Sequence, residues 1–521
     1  MQTPLLLTDF LDRAVRLYGN KPAIIDQDEN SYTYSDINRR VNQLSHGLAS
    51  LGVEQGDRVA YLAPNTLEMY EGFYGIFQTG AIMVSLNTRL NPREYLYILN
   101  DSGSKVLFVD YDLFPLIEPV INEMKTVQQI VIHGAENANN GYIAYPVWLQ
   151  SQPEADFPRA DLDENDTATL LYTSGTTGKP KGVMLTHRNN YLHALSSMHH
   201  IRVSDQDTLM HILPMFHVNG WGAPFYYTAN GATQVMQKSI DPAAILDKVQ
   251  TYQVSVMHMA PTVLNGIIHK FMETKPAISQ NVRVVIAGAA PPQAFIKQVE
   301  EEMGWEFNHV YGMTESSPLT LASYQSSEDS DLTGDAYYTM KAKTGYEMIG
   351  TKVRVVDEFQ QEVAHDGQEV GEIIVKGNGV MKGYWNNEEE TNATLVNGWL
   401  HTGDMGTIDE RNRINMVDRK KDVIISGGEN ISSIEVEGIF HEHPAVQEAA
   451  IVSKPDEKWG ETPHAMVVLQ EGHIASEEEL ITFVRDRLAH FKCPKSVTFL
   501  DELPKTASGK IQKVQLREIA E

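Results

Sequence analysis

The alternation of apolar and polar positions predicts strands and helices in turn over the first half of the chain. Residues 23–26 and 32–34 are predicted to form a hairpin, and Ser35 is predicted to cap the helix that follows it. The apolar positions of this helix recur every three or four residues, at Ile37, Val41, Leu44, Leu48 and Leu51. Further strands and one helix are predicted at residues 58–62, 166–173, 283–286 and 291–301. Strand, crossover helix and strand in succession indicate a mostly parallel sheet with helices on both faces.

The later part of the chain has a different pattern. Short strands separated by turns are predicted at residues 353–357, 371–375 and 413–417. A run of charged residues follows at 418–422, and a strand-and-helix pattern then continues to the last residue. We therefore expect an α/β fold in which a large N-terminal domain of layered parallel sheets carries a β-rich subdomain. The predicted boundaries are 1–418 for this domain, 419–422 for a hinge and 423–521 for a small C-terminal α+β domain.

Composition and charge exclude several classes of protein. The 521 residues include 42 basic and 69 acidic ones, which gives a net charge of −27 with neutral histidines. So negative a surface repels phosphate, which disfavours a nucleic-acid binder. An apolar fraction of 42% is too high for a disordered chain. The charge is unevenly distributed along the chain: residues 485–521 include eight basic and five acidic residues. Such an excess is typical of a solvated basic face, and it also suits a surface that binds a polyanionic small molecule.

Cysteine usage and the N-terminus bear on the compartment. The single cysteine, Cys493, excludes an intrachain disulfide framework and a cysteine-rich zinc site. No apolar run approaches the roughly 18 residues of a membrane span. The N-terminus lacks a basic region before its apolar residues and reaches Asp9 early, so it predicts a capped amphipathic helix rather than a signal peptide. We expect a cytoplasmic protein without a transmembrane segment.

The strongest local signal is a buried strand that runs into a loop of hydroxyls, glycines and lysines at residues 170–182. Glycines let backbone N–H groups approach an anion, and the threonines, Ser174, Lys179 and Lys181 add donors and positive charge. A flexible polar turn is the alternative, but such a turn seldom needs four hydroxyls and two lysines directly after an apolar strand. Because Lys179 is followed by Pro180, the loop is not a Walker-type NTPase motif. The loop predicts a phosphate site of another kind.

Five segments together resemble the adenylate-forming superfamily, which includes acyl-CoA synthetases, nonribosomal adenylation domains and luciferase. They are residues 173–182, 311–315, 402–404, 418–422 and 504–510, in matching order over essentially the whole chain. Residues 214–221 and 425–431 are most similar to fatty-acyl-CoA synthetases. Two positions depart from several fatty-acid members: Ile425 stands where they have lysine, and Asn430 where they have tryptophan. Contacts of those side chains are therefore not carried over.

The resemblance implies a reaction in two halves. A carboxylate first attacks the α-phosphate of ATP, which gives acyl-AMP and pyrophosphate, and the thiol of coenzyme A then displaces AMP. ATP, CoA and a carboxylic acid are the expected partners, and Mg²⁺ is the expected cofactor. The resemblance assigns nucleotide binding to Thr173, Ser174, Gly175, Thr176, Thr177, Gly178, Lys181, Gly288, Ala289, Tyr311, Gly312, Thr314, Asp404 and Arg419.

Within this set, Glu315 and Thr173 are expected to hold the metal, because Mg²⁺ prefers one or two carboxylates with phosphate oxygens. Tyr311 is expected against adenine, and Asp404, assisted by Arg419, on the ribose hydroxyls. Each has an ordinary alternative: a solvated loop glutamate, a core aromatic and a turn aspartate.

The catalytic and acyl-site assignments also follow the resemblance. Lys510 is expected on the α-phosphate and the attacking carboxylate, and with Glu315 and His217 it completes the predicted catalytic set. His217, Trp221 and Gly288 are predicted to line the acyl pocket, although a lone histidine at such a position is more often an ordinary core residue. Lys421 is the expected hinge of a mobile C-terminal domain. The CoA tunnel is assigned to Ser426, Gly427 and Gly428.

The sequence thus predicts a CoA ligase for a medium- or long-chain fatty acid. Three alternatives remain: a short thioether acid such as 3-methylthiopropionate or an aryl acid as substrate, a carrier-protein thiol as acceptor, and a non-catalytic nucleotide-binding module. The absence of an appended carrier domain counts mildly against the second. The oligomeric state is left open, with a homodimer as one option.

Overall fold

The structure is a computed structural model that describes residues 3–134, 141–173, 179–287, 293–426, 429–456, 458–505 and 511–520. The α-helices are α1 (Thr8–Tyr18), α2 (Tyr34–Ser50), α3 (Leu67–Thr79), α4 (Pro92–Ser102), α5 (Phe114–Ile117), α6 (Tyr145–Gln150), α7 (His187–His200), α8 (Val218–Trp221), α9 (Ala223–Ala229), α10 (Pro242–Thr251), α11 (Pro261–Thr274), α12 (Gln293–Lys297), α13 (Gly334–Ala342), α14 (Glu388–Thr394), α15 (Ser433–His441), α16 (Glu477–Arg485) and α17 (Lys513–Ala520). Short 3₁₀ turns lie at Tyr111–Leu113, Glu118–Glu123, Thr314–Ser316, Ser327–Asp329 and His490–Lys492, and a π turn at Gln298–Glu302.

The strands of the first part are β1 (Pro22–Ile25), β2 (Ser31–Thr33), β3 (Arg58–Leu62), β4 (Ile82–Ser85), β5 (Ser104–Asp110), β6 (Gln129–His133), β7 (Ile143–Ala144), β8 (Thr167–Thr173), β9 (Lys181–Thr186), β10 (Thr208–His211), β11 (Thr233–Met236), β12 (Val256–Met259), β13 (Arg283–Ile286), β14 (Glu306–Gly312), β15 (Leu319–Ala322) and β16 (Tyr346–Glu347). Those of the second part are β17 (Thr351–Val356), β18 (Gly371–Gly377), β19 (Gly383–Tyr384), β20 (Leu395–Val396), β21 (Trp399–Ile408), β22 (Ile414–Arg419), β23 (Ile424–Ser426), β24 (Glu429–Ile431), β25 (Val446–Asp456), β26 (Gly460–Leu469) and β27 (Ser496–Phe499).

Two large sheets form the body of the described chain. One has the order β16-β15-β14-β13-β12-β10-β11-β1-β2 and is parallel from β14 to β1, while the other has the order β19-β9-β8-β4-β3-β5-β6-β7 and is parallel from β8 to β7. One apolar core joins residues of both sheets, such as Val59 of β3 and Met236 of β11, through the aromatic rings of α3 and α9. Phe73 and Phe225 meet there with ring centroids 5.4 Å apart. The predicted α/β class with layered parallel sheets is confirmed.

Two smaller sheets complete the described chain. An antiparallel sheet of β17, β18, β20, β21 and β22 is the predicted β-rich subdomain. The C-terminal part is a sheet of β23 to β27 with α15, α16 and α17 packed on it, which has its own apolar cores. In the described residues no helix is both long and apolar enough to cross a membrane.

The local predictions within the described residues are confirmed apart from two helix ends. The predicted start of the helix at 291–292 lies outside those residues, and from Gln293 the chain is helical through α12 and the π turn. The hairpin of β1 and β2 forms, and α2 buries Ile37, Val41 and Leu44. The cap of α2 is Thr33 rather than Ser35: the Thr33 hydroxyl accepts from the Asp36 N–H, and the Asp36 carboxylate accepts from the Thr33 N–H. Ser35 was the wrong choice because this reciprocal capping box satisfies two backbone donors at once. At α1 the cap position is occupied by Leu7, which makes no side-chain cap bond.

Candidate active site

The predicted phosphate loop is flanked by an antiparallel hairpin. Strands β8 and β9 pair so that Thr173 lies opposite Lys181. The Lys181 ammonium pairs with the Glu390 carboxylate of α14 and lies 5.6 Å from the ring centroid of Tyr384. Both ends of the loop are therefore fixed, one by the sheet and the other also by an ion pair.

A second loop presents the predicted metal and nucleotide residues between β14 and β15. At Gly312 a Cβ atom would lie only 1.7 Å from the Pro318 carbonyl oxygen, so this position requires glycine. The chain then makes the buried 3₁₀ turn that carries Thr314 and Glu315. Tyr311, at the end of β14, is buried as well.

Glu315 has the environment of a cation ligand. Its carboxylate is buried, and its Oε1 accepts a 2.9 Å hydrogen bond from the Tyr384 O–H. Burial raises the pKa of the Glu315 carboxyl, and the hydrogen bond from Tyr384 and the charge of Lys181 oppose that rise. A buried carboxylate with hydroxyl neighbours is an oxygen donor set of the kind Mg²⁺ takes when phosphates supply further ligands. In the described residues no group of three or more His, Cys, Asp and Glu side chains is placed to hold a metal.

Asp404 joins the β-rich subdomain to this loop. The Tyr311 O–H donates to Asp404 Oδ2 at 2.6 Å, and both side chains are buried. Arg419 lies opposite Asp404 in the β21–β22 ladder, with its Nε 3.7 Å from Asp404 Oδ1. The pKa of the Tyr311 phenol is raised by burial and then by the Asp404 carboxylate, so it remains an O–H donor. Tyr384 contacts both Glu315 and Lys181, and Tyr311 links Asp404 to the loop that carries Glu315. The structure therefore brings these predicted residues close together.

The predicted acyl-site residues lie on an unusual piece of backbone. After His217, five successive residues have positive φ: Val218 (46°), Asn219 (54°), Gly220 (59°), Trp221 (58°) and Gly222 (74°). The element α8 is therefore a left-handed turn. A β-branched residue such as Val218 is rarely found there, and each such non-glycine position costs on the order of 1–3 kcal/mol.

Side-chain contacts hold this turn in place. The Asn219 amide donates to the Thr169 hydroxyl and to the Asn190 side-chain oxygen, both at 3.1 Å. Its neighbour Trp221 is buried and stacks on His258, with ring centroids 5.9 Å apart. The tertiary contacts thus compensate for the backbone strain and fix the Trp221 ring.

The wall around Trp221 is made of buried aromatic rings. The imidazole of His258 lies 3.2 Å from the Tyr227 hydroxyl, and burial lowers the pKa of His258 to about 3, so the ring is neutral. Phe216 and Met259, which adjoin His217 and His258 in the sequence, are also buried. His217 itself is half-buried, and its carbonyl accepts the Gly220 N–H at 3.0 Å.

Two residues of the site region were not predicted from the sequence. Tyr384 is the partner of Glu315, and its signal in the sequence was the Gly-Tyr-Trp at residues 383–385, which follows the predicted strands. His193, in the middle of α7, accepts the Leu319 N–H on its Nε2 at 3.2 Å and lies beside Gly222. Burial lowers the pKa of His193 to about 3. Helix α7 carries four histidines, and nothing in the sequence set His193 apart from the others.

The predicted hinge lies where hydrogen bonds to the two parts of the chain meet. The Lys420 N–H donates to the Gly403 carbonyl at 2.9 Å, whereas the Lys421 carbonyl accepts from Arg517 of α17 at 3.2 Å. Arg517 also pairs with Asp422. Successive residues are thus attached to the β-rich subdomain and to the C-terminal part.

Of the predicted CoA residues, the structure describes Ser426, at the end of β23 and opposite Gly460 of β26. The predicted site residues that lie outside the described residues are Ser174, Gly175, Thr176, Thr177, Gly178, Gly288, Ala289, Gly427, Gly428 and Lys510. Their roles stay predictions.

Comparison with known proteins identifies the family. Residues 11–385 match the model of the AMP-binding enzymes, and residues 435–510 match the model of the AMP-binding enzyme C-terminal domain. The long-chain-fatty-acid–CoA ligase of Thermus thermophilus is 37% identical over 99% of this chain and 96% of its own length. A peroxisomal butyrate–CoA ligase of Arabidopsis thaliana is 36% identical over 99% and 93%.

A solved structure gives the same answer. The anthranilate CoA ligase AuaEII in complex with anthranoyl-AMP superimposes with a TM-score of 0.92 and 28% identity, covering 100% of this chain and 98% of the other. The predicted superfamily and the predicted enzyme class are both confirmed. The chain belongs to the adenylate-forming AMP-binding enzymes and is an acid–thiol ligase of that family.

Proposed function

We propose that this enzyme joins an apolar carboxylic acid of medium or long chain to coenzyme A through an acyl-AMP intermediate. The observation that carries the proposal is the convergence of Lys181, Glu315, Tyr311 and Asp404. The buried aromatic ring of Trp221, four residues after His217, supports an apolar acid as the second substrate. This arrangement suits a nucleotide whose phosphates meet the loop at 174–178 and whose ribose meets Asp404. A carboxylate has a poor leaving group, and esterification by AMP replaces it with a good one.

In the first half-reaction the acid's carboxylate oxygen bonds to the α-phosphorus while the bond to the β-phosphate oxygen breaks. Thr314, Lys181 and residues 173–178 would bind the phosphates, and Arg419 and Asp404 the ribose, while Tyr311, Gly288 and Ala289 would flank adenine. Glu315 and Thr173 would hold Mg²⁺, which when bound offsets the charge of the phosphates. Lys510 would neutralise the charge that gathers between the acid and the α-phosphate.

In the second half-reaction the thiol sulfur of CoA bonds to the acyl carbon, the acyl–phosphate C–O bond breaks, and the thiol proton passes to solvent. Ser426, Gly427 and Gly428 would line the approach. Since Lys510 and the CoA segment belong to one small domain, rotation about Lys421 would exchange them. We place the domain boundaries at 418 and 423, and the two family models end and begin on either side of them, at 385 and 435.

A second candidate substrate class is a short or aryl acid. The observation that favours it is the filled space behind the left-handed turn, where Trp221 stacks on His258 and both Tyr226 and Tyr227 pack against that ring. Rings held in this way would shorten an acyl pocket that starts at His217, as the sequence predicts. Relatives of both kinds exist, since one is named for long-chain acids and another for butyrate.

An acid panel tests these proposals. Purified enzyme with ATP, Mg²⁺ and CoA is given acids from butyrate to palmitate, together with 3-methylthiopropionate and benzoate, and AMP release is measured. The highest kcat/KM for acids of eight or more carbons would support the first proposal, and a maximum at butyrate or benzoate would replace it with the second. Acid-dependent pyrophosphate exchange without any CoA thioester would instead indicate a carrier-protein acceptor. We also propose a cytoplasmic location. Since the butyrate ligase of Arabidopsis is named as peroxisomal, cell fractionation is needed to test this location.

A further inference from the structure

Tyr384 contacts the predicted metal ligand from a strand that nothing in the sequence connects with metal binding. Its O–H donates to Glu315 Oε1 at 2.9 Å, and both side chains are buried.

The backbone around Tyr384 is attached to the same loop. The Met381 N–H donates to the Glu315 carbonyl at 2.8 Å, and the Ser317 hydroxyl donates to the Gly379 carbonyl at 2.7 Å. Residues 379–384 therefore pack along the loop that carries Glu315. The segment is joined to this loop by backbone hydrogen bonds as well as by the Tyr384 side chain.

The same segment is also part of the phosphate-loop hairpin. In β19, Gly383 and Tyr384 pair with Met184 and Val183 of β9, and the Lys181 ammonium at the start of β9 lies over the Tyr384 ring. One short strand thus contacts the predicted phosphate-binding residues on one side and the predicted metal ligand on the other.

We propose that Tyr384 is a positioning residue for metal binding: by holding Oε1 it fixes the rotation of the Glu315 carboxylate and so the direction of Oε2. The terminal torsion of a glutamate is broad, so an unheld carboxylate would rotate. Partners of this kind orient metal ligands, and their removal typically lowers metal affinity by about 10- to 100-fold. The inference rests on the proposed role of Glu315 in holding Mg²⁺.

The test is Tyr384→Phe, which keeps the buried ring and removes the hydroxyl. Mn²⁺ serves as the probe. Its dissociation constant is measured by electron paramagnetic resonance for the parent enzyme and for the variant, each in the presence of α,β-methylene-ATP, in which the bond between the α- and β-phosphates cannot be cleaved. We expect Mn²⁺ to bind about 10-fold more weakly to the variant, while the KM of the acid is unchanged. Thioester formation from supplied acyl-AMP, which needs no metal, should persist and shows that the variant is folded.

Tyr338→Phe is the matched control. Tyr338 is also buried, and its O–H donates to a glutamate, Glu301, at 3.0 Å outside the site. Its loss should leave Mn²⁺ binding unchanged. If the two variants lose thermal stability alike and both bind Mn²⁺ within twofold of the parent, Tyr384 has a structural role only and the inference is wrong.

Combination with Glu315→Gln separates the inference from the function on which it rests. If Tyr384 acts through Glu315, Tyr384→Phe has no further effect on Mn²⁺ binding in the Glu315→Gln background. If Glu315→Gln alone leaves Mn²⁺ binding intact, the proposed metal role of Glu315 fails first. If both single variants weaken binding and their effects add, Tyr384 acts independently of Glu315 and the positioning role is refuted.

Discussion

Replacement of Asp404 by asparagine tests the nucleotide end of the proposed site. In the structure the Tyr311 O–H donates to Asp404 Oδ2 at 2.6 Å. Asparagine keeps the shape of the side chain and an oxygen that can accept this hydrogen bond. It removes the negative charge that the ribose hydroxyls are expected to meet. The fold should therefore persist while nucleotide binding weakens.

The size of the effect follows from the hydrogen bonds at stake. Hydrogen bonds to charged groups contribute about 1.5–3 kcal/mol and neutral ones about 0.5–1.5 kcal/mol. With two ribose hydroxyls, the change from carboxylate to amide should cost about 2 kcal/mol, which is about a 30-fold rise in the Kd of ATP. Because Asp404 is buried beside Tyr311, solvent screens little of this loss.

The assay is ATP binding by calorimetry, together with acid-dependent pyrophosphate exchange. Asp409→Asn is the control, since Asp409 lies on the same subdomain and pairs with Lys343 at 2.8 Å, outside the site. That variant can lose stability but should keep the parent's affinity for ATP. An Asp404→Asn enzyme with the parent's unfolding midpoint and an ATP affinity within threefold of the parent would refute the ribose assignment.

Three further outcomes are expected. Lys510→Ala should abolish pyrophosphate exchange while thioester formation from supplied acyl-AMP largely persists; equal loss of both half-reactions contradicts its role. Lys421→Pro should slow the second half-reaction more than the first in rapid-quench experiments, because it stiffens the residue whose carbonyl Arg517 holds; the reverse order would count against the hinge. Burial lowers the pKa values of His193 and His258 to about 3, below the unfolded value near 6.5, so the stability they contribute is complete above pH 6.5 and declines as the pH falls. For each histidine, the free energy of unfolding should fall by about 2 kcal/mol between pH 6.5 and 5. A urea midpoint that stays constant over that range would show that these rings take up protons in the folded state.

The succession of strand-like and helix-like segments was enough to predict the class of fold. Parallel strands such as β3 and β13 are buried on both faces, so they are recognisable in the sequence as short apolar runs. Helix ends were less well predicted. Thr33 and Ser35 are both good caps in isolation, and only the reciprocal bond with Asp36 decides between them. Residue preferences alone do not contain that choice.

The left-handed turn at residues 218–222 could not be predicted for a different reason. Valine and tryptophan disfavour positive φ, so local preference points away from the observed conformation. The turn exists because Asn219 and Trp221 find partners on β8, α7 and β12, which come from distant parts of the chain. Strain of this sort is a property of the assembled fold, and it lies beside His217, which is predicted to be catalytic and to line the acyl pocket.

The position of Tyr384 extends this reasoning to catalysis. In the sequence, Lys181 and Glu315 belong to separate motifs more than 100 residues apart. From the motifs alone, Lys181 could bind phosphate and Glu315 could bind metal independently of each other. In the fold, β19 pairs with the strand of Lys181 and donates to the carboxylate of Glu315. A displacement of the phosphate hairpin would then also displace the donor that orients Glu315. Phosphate and metal binding should consequently be coupled through residues 381–384, so that Mn²⁺ affinity falls when β9 is disturbed even though no ligand has been changed.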